Sequence, residues 1–241
     1  MPSAKALIGS FLGSLFLRDA RVHEVHDPAP GYRIVTIHAE DLCDRTHAAS
    51  EKVQIFLPGV GMRTYTPIDH NAALGRMSLF TFVHGGGPGS EWARTVKKDD
   101  TFRFFGPRRS ISFAELSATP IVFFGDETSL ATIRAVASER RTEDGVAAVC
   151  EARDKGAAEA VLRGPLGLVG PEVIQKLDGG AHLDAVVARL ASMVEARPGA
   201  RLVLTGCSES IVHVRRGLAS RGITAIGKVK PYWAPGRVGL D

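Results

Sequence analysis

Paired cysteines, long apolar runs and blocks of one charge are all missing from this chain, and each absence removes a class of function. Its three cysteines, Cys43, Cys150 and Cys207, are dispersed and show no CxxC spacing. That argues against a disulfide framework or a zinc site and is compatible with a reducing cytoplasm, the compartment expected. The apolar stretch from Ala6 to Leu17 follows a lone Lys5, contains Gly9 and Gly13, and has no small-x-small site after Arg18. It is too short to span a bilayer, so a short packing helix is expected there rather than a targeting segment, and no membrane insertion. The net charge of +4 is not gathered into Lys/Arg blocks. Such a balance suits an anionic ligand better than a nucleic-acid surface, and no nucleic-acid partner is expected. Repeats and low-complexity tracts are also lacking.

What remains is the composition of a soluble globular protein, 44% hydrophobic and 23% charged over 241 residues, enough for one large domain or two ordinary ones. Two periodicities divide it. Short extended runs fill residues 19 to 117: Val22 to Val25, Tyr32 to His38, Val53 to Leu57, Met77 to Val83 and Thr101 to Phe105. Turn clusters such as Asp27-Pro28-Ala29-Pro30-Gly31 separate them. This spacing predicts a small antiparallel barrel over residues 1–117. Beyond Pro120, strands alternate with helices. Pro120 to Phe124, Val146 to Cys150 and Arg201 to Gly206 read as strands; Ser129 to Arg141, His182 to Ala196 and Ser210 to Ser220 read as helices. Such alternation predicts a parallel α/β domain over residues 118–241.

The motifs fall in both halves. In Arg63-Thr64-Tyr65-Thr66, strand alternation sets Arg63 and Tyr65 on one face and Thr64 and Thr66 on the other. Either a flavin packs on Tyr65, with Thr66 on a ring heteroatom and Arg63 on phosphate, or this is a surface arginine beside a barrel tyrosine. The run from His84 to Trp92, with Gly85, Gly86, Gly87, Pro88 and Gly89, leads to Ser90 as a candidate N-cap. It reads equally as a phosphate cradle or a hairpin tip. It is neither a Walker loop nor a GxGxxG fingerprint. Gly125-Asp126-Glu127-Thr128 ends a predicted parallel strand, where Asp126 and Glu127 either meet ribose hydroxyls or support the following helix start. The segment from Lys228 to Arg237, with Lys230, Tyr232 and Trp233, reads as a basic, aromatic tail. No side chain is expected to act as a catalytic group, and none to bind metal.

In this order and spacing, these motifs resemble the siderophore-interacting protein family of FAD-binding ferric reductases, relatives of the ferredoxin-reductase superfamily. Arg63-Thr64-Tyr65-Thr66, Phe82 through Ala93, Gly125 through Leu130 and Tyr232-Trp233 carry the resemblance, and Gly106-Pro107 falls where that family closes its barrel. It implies a flavin barrel followed by an NAD(P)H domain. Arg63, Thr64, Tyr65 and Thr66 would line the flavin, His84, Gly87, Pro88 and Ser90 would hold its pyrophosphate, and Trp233 would border the cofactor. Gly125, Asp126, Glu127 and Thr128 would face NADPH or NADH. The implied reaction passes electrons from the nicotinamide through FAD to iron in a ferric-siderophore or another ferric chelate, near Lys52, Lys228, Lys230 and Arg237. The alternatives are another acceptor, ferredoxin as donor, or a non-catalytic flavin-binding module. Ile68, Gln54 and Ala234 stand where the family pattern has basic residues, and Cys207 follows Gly206 where it has glutamate.

Overall fold

The computed structural model describes residues 16–46, 48, 51–109, 119–140 and 147–237. By internal contacts the chain forms two units, the division falling between residues 110 and 111, with residues 27–33 grouped in the second. The predicted boundary after residue 117 and all but the last two residues of the apolar stretch from Ala6 to Leu17 lie outside the described residues.

Six strands build the first unit: β1 (Arg18–Ala29), β2 (Tyr32–His38), β3 (Glu51–Leu57), β4 (Gly61–Asn71), β5 (Arg76–Phe82) and β6 (Thr101–Arg109). They close into a barrel in the order β1-β2-β5-β4-β3-β6, which leaves no unpaired sheet edge. Its interior follows from period-2 alternation: Val53, Ile55, Val35, Ile37, Met77, Leu79 and Phe104 are all buried there. Each such side chain stabilises the fold by about 1.5–3 kcal/mol relative to exposure. The sequence reading placed a turn at Asp27–Gly31, but β1 runs on through Ala29 and only Pro30 and Gly31 turn, Gly31 at φ 77°. Helix α1 (Pro88–Thr95) links β5 to β6. Its Trp92 ring packs 5.2 Å from Tyr65 and 5.5 Å from Phe102.

The second unit is a parallel sheet of β7 (Ile121–Asp126), β8 (Ala147–Ala152), β9 (Glu172–Gln175), β10 (Arg201–Cys207) and β11 (Ile226–Trp233), ordered β11-β10-β7-β8-β9. Its helices are α2 (Leu130–Arg140), α3 (Lys155–Arg163), α4 (Leu183–Glu195) and α5 (Ser208–Ala219). Every position of β7 and β8 is buried, as expected of central parallel strands. Val186, Leu190, Ile211 and Val214 pack from the helices onto Val122, Phe124, Leu202 and Leu204. Strand order reverses between β7 and β10, the switch point where open α/β sheets bind ligands.

Three elements escaped the sequence reading. Helix α3 begins on an Asp154 cap, whose carboxylate accepts from Ala157 N–H at 2.9 Å. Strand β9 has four residues, too few for a period to show. The expected basic tail is mostly β11, an edge strand, and the edge position is what lets it carry Pro231.

Candidate functional site

The β3–β4 register sets Ile55 opposite Arg63 and Val53 opposite Tyr65, so both motif side chains share the face of the apolar β3 residues. Thr64 lies on the other face, accepting from Gln54 Nε2 at 3.2 Å, while Gln54 Oε1 accepts from Arg108 Nη2. Arg108 also lies 5.1 Å from the centre of the Phe105 ring. A guanidinium thus reaches Gln54, where the family pattern has a basic residue. Thr66 is half-buried opposite Phe80.

Two features mark the Arg63 face as a ligand seat. Arg63 Nη1 donates to Met62 O at 2.7 Å, but Nη2 is shut off from solvent with no hydrogen-bond partner. An unmet buried donor costs about 1–3 kcal/mol, more when charged. Beside it, Tyr65 donates its hydroxyl to Gly89 O at 2.9 Å, and burial raises the phenol well above its ordinary range against the opposing pull of Arg63. A Cβ on Gly89 would come within 3.0 Å of that hydroxyl and 3.5 Å of Arg63 Cδ, so the backbone of α1 lies directly on both side chains.

The start of α1 is open as well. Gly87 is its N-cap, Pro88 occupies its first turn, and no side chain caps it. Ser90 was the expected cap. It lies inside the helix instead, where its hydroxyl accepts from His84 N–H at 3.2 Å and ties the glycine run to the helix. The His84 ring lies 5.9 Å from Phe82. First-turn N–H groups have no partner within a helix, so the amides of Gly89 and Ser90 are disposed toward an anion beside Arg63. The donor set fits the pyrophosphate of a flavin dinucleotide: a half-buried guanidinium with one shut-off donor to spare, an uncapped helix start, and a glycine where a side chain would crowd Tyr65.

The strand ends of the second unit are built differently. Asp126 is fully buried, and its Oδ1 accepts from Thr128 N at 2.9 Å and from Thr128 Oγ1. Its Oδ2 accepts from the Trp233 indole N–H at 2.7 Å. Burial raises its carboxyl above the ordinary range, although Lys176 pulls the other way. Asp126 therefore does what the sequence left open, supporting the turn that starts the next helix. Gly206, at φ 97°, has no room for a Cβ, which would fall 2.6 Å from the Asp126 carboxyl carbon. Gly125 is equally confined, against Ser129, whose hydroxyl accepts from Thr205 at 2.7 Å.

Glu127 accepts from Arg153 N–H at 2.7 Å and from Lys176 Nζ at 2.6 Å. Lys176 also stands 3.7 Å from Glu151 and 5.9 Å from the centre of the Trp233 ring. Burial opposes its charge, yet Asp126, Glu127 and Glu151 together hold its pKa above the ordinary value. His182 Nδ1 accepts from Leu177 N–H at 3.1 Å, so its ring proton lies on Nε2, which donates to Glu151 Oε2 at 2.8 Å. Tyr232 shares a 2.8 Å hydrogen bond with Thr132, and burial pushes its phenol up to about 12.

Sequence reasoning missed Lys176, Glu151 and His182. One signal was available: Glu151 interrupts the apolar run of β8, and a charge in a buried strand requires partners. Of the expected substrate cations, Lys52 is buried in the barrel unit opposite Arg108, whereas Lys228 and Lys230 in β11 and Arg237 belong to the second unit. Among the described residues, no group of His, Cys, Asp and Glu is placed to hold a metal ion, and no helix is long and apolar enough to cross a membrane.

A family model, the siderophore-interacting FAD-binding domain, matches residues 59–111. Residues 59–111 are thus similar to that domain. The matched segment contains Arg63, Tyr65, the glycine run and α1, the parts that make up the seat. No curated protein sequence matches the chain. Solved structures do. A siderophore utilization protein from T. fusca is 22% identical with a TM-score of 0.72, the match covering 93% of this chain and 95% of that one. The siderophore-interacting protein SipS from Aeromonas hydrophila is 20% identical with a TM-score of 0.70 over 92% of each chain. Phthalate dioxygenase reductase, 10% identical, has a TM-score of 0.69 over 93% of this chain and 71% of its own. Likeness at such identities concerns the fold: an antiparallel barrel followed by a parallel α/β domain.

Proposed function

We propose that the chain is an FAD-dependent oxidoreductase of the cytoplasm that takes electrons from NADPH or NADH and delivers them to ferric iron in a siderophore or a similar chelate. The observation that carries this reading is the buried Arg63 Nη2 without a partner, set against the uncapped start of α1. FAD, when bound, supplies the chemistry that joins a two-electron donor to a one-electron acceptor. The chain's own groups bind and orient. Arg63 and the amides of Gly89 and Ser90 hold the pyrophosphate, with His84, Gly87 and Pro88 shaping the loop. Tyr65 backs the flavin ring, and Thr64 and Thr66 line the same strand. In the second unit the Gly125–Thr128 turn offers the nicotinamide nucleotide a fixed floor, Asp126 and Glu127 stiffening it rather than bonding the ligand. Trp233, its N–H anchored on Asp126, borders the cofactor. In the second unit Lys228, Lys230 and Arg237 supply positive charge for an anionic ferric chelate, whereas Lys52, buried in the barrel, does not. Ferrous iron leaves because hard oxygen ligands hold it less tightly than ferric iron.

The test is spectroscopic. The purified protein, loaded with FAD, should be yellow, bleach anaerobically with NADPH or NADH, and recover its colour on adding a ferric chelate. Failure to take up FAD would refute the reading. Bleaching by reduced ferredoxin but by neither nicotinamide would replace the donor. A flavin that no donor reduces would leave a binding module. Arg63→Ala should lower FAD affinity by about tenfold to a hundredfold, as loss of charge-assisted hydrogen bonds does.

A further inference from the structure

The turn between β8 and α3 is held more firmly than a surface connection requires. Arg153 N–H donates to Glu127 Oε1 at 2.7 Å, while the Gln175 amide bonds the turn twice, donating to Arg153 O and accepting from Lys155 N–H at 3.2 Å. Asp154 closes the helix start through Ala157 N–H. Side chains from β9 and from the turn after β7 thus clamp the backbone of residues 153–155. What the clamped turn presents is positive. Arg153 and Lys155 are both exposed, and the Arg153 side chain makes no hydrogen bond or ion pair among the described residues. Lys155 has only the half-buried Glu159 at 3.8 Å.

Strand β8 is the neighbour of β7 on the side away from the switch point. In doubly wound sheets the end of this second strand meets the adenosine ribose of a dinucleotide: a free carboxylate there takes the 2′-hydroxyl, and an arginine takes a 2′-phosphate. The carboxylates near this position are engaged. Asp154 caps α3, Glu127 holds Arg153 N–H and Lys176, and Glu151 is buried against His182. The backbone donors of Arg153, Lys155 and Ala157 are engaged too, so the helix start has little to offer a phosphate. The guanidinium is what remains.

We infer that Arg153, assisted by Lys155, is the specificity residue for a 2′-phosphorylated adenosine nucleotide, making NADPH rather than NADH the electron donor. The inference rests on the proposed nicotinamide-dependent reaction but is tested apart from it. Calorimetric binding of adenosine 2′,5′-bisphosphate and of adenosine 5′-monophosphate to the flavin-loaded chain should differ by about tenfold or more in favour of the bisphosphate. Arg153→Ala should abolish the difference by weakening the bisphosphate alone, and Arg153→Lys should restore part of it. Equal affinities in the wild type, no binding of the bisphosphate, or a preference that survives Arg153→Ala would each overturn the inference. Anaerobic bleaching separates the two claims. If neither NADPH nor NADH bleaches the flavin, the proposed donor is wrong, while the nucleotide titration still decides what the turn recognises. If both bleach it equally fast and Arg153→Ala changes neither, the specificity claim fails and the reaction stands.

Discussion

The two units treat buried polar groups in opposite ways. In the barrel unit, a charged donor of Arg63 is buried beside an open helix start and meets nothing in the protein. At the strand ends of the second unit, Asp126, Glu127, Glu151, Lys176 and His182 are hydrogen-bonded or ion-paired to one another, to backbone and to Trp233. The first arrangement is strained without a ligand; the second is a support for what lies on it. Buried polar groups near a strand end therefore do not all mark a binding site. Glu151 Oε1 also lacks a hydrogen bond but keeps Lys176 Nζ at 3.7 Å, whereas Arg63 Nη2 is a buried charged donor that faces an open helix start, and that combination is the informative one.

Removing a partner from the closed cluster should have the largest effect on stability. Lys176→Met leaves Glu127 and Glu151 buried without their cation and should destabilise the fold by about 3–5 kcal/mol, read by urea unfolding at neutral pH. The same measurement carries a pH signature. The Lys176 pKa is raised in the folded state, so its contribution is complete below the ordinary lysine value and is lost as pH rises through the folded value. Wild-type stability should accordingly fall in the alkaline range, and Lys176→Met should lack that decline. An unchanged alkaline limb would detach Lys176 from the cluster.

A smaller effect is expected at Asp126. Asp126→Asn keeps an oxygen for Thr128 but turns an amide toward the Trp233 N–H, and should cost about 1 kcal/mol where the wild-type carboxyl is protonated. Its raised pKa makes the carboxyl's contribution complete at acid pH and lost as pH climbs through the raised value, so the variant should close on the wild type as pH rises. A constant difference from pH 4 upward, measured by the same unfolding series, would mean that the carboxyl stays ionised. No larger an effect is expected of Tyr65→Phe, which removes the hydroxyl from Gly89 O and should lower stability by about 0.5–1 kcal/mol while FAD still binds. Loss of FAD binding in that variant would give the hydroxyl a direct role in the seat.

The division into barrel and α/β sheet was legible because both periodicities are strong: Val53, Ile55 and Leu57 alternate inward, and β7 and β10 are apolar runs ending in glycine turns. Arg63 and Tyr65 were legible as a pair for the same reason. Ser90 was misplaced because Pro88 and the glycines before it allow the helix to start earlier, with Gly87 as cap. Lys176 was out of reach: its importance comes from Glu127, Glu151 and Trp233, which lie far from it in sequence and meet it only through the parallel order of the sheet. That the Arg153 side chain is unengaged and its backbone clamped is information only the folded chain holds.

The contrast between a strained seat and a closed support comes down to Arg63→Met, measured twice, once for urea unfolding of the flavin-free protein and once for FAD affinity. A half-buried guanidinium with one unmet donor, replaced by an apolar chain of similar length, should leave the flavin-free fold about as stable as the wild type, while FAD affinity falls by about tenfold to a hundredfold. A flavin-free variant destabilised by several kcal/mol with FAD affinity unchanged would show that Arg63 holds the barrel together and that the cofactor sits elsewhere.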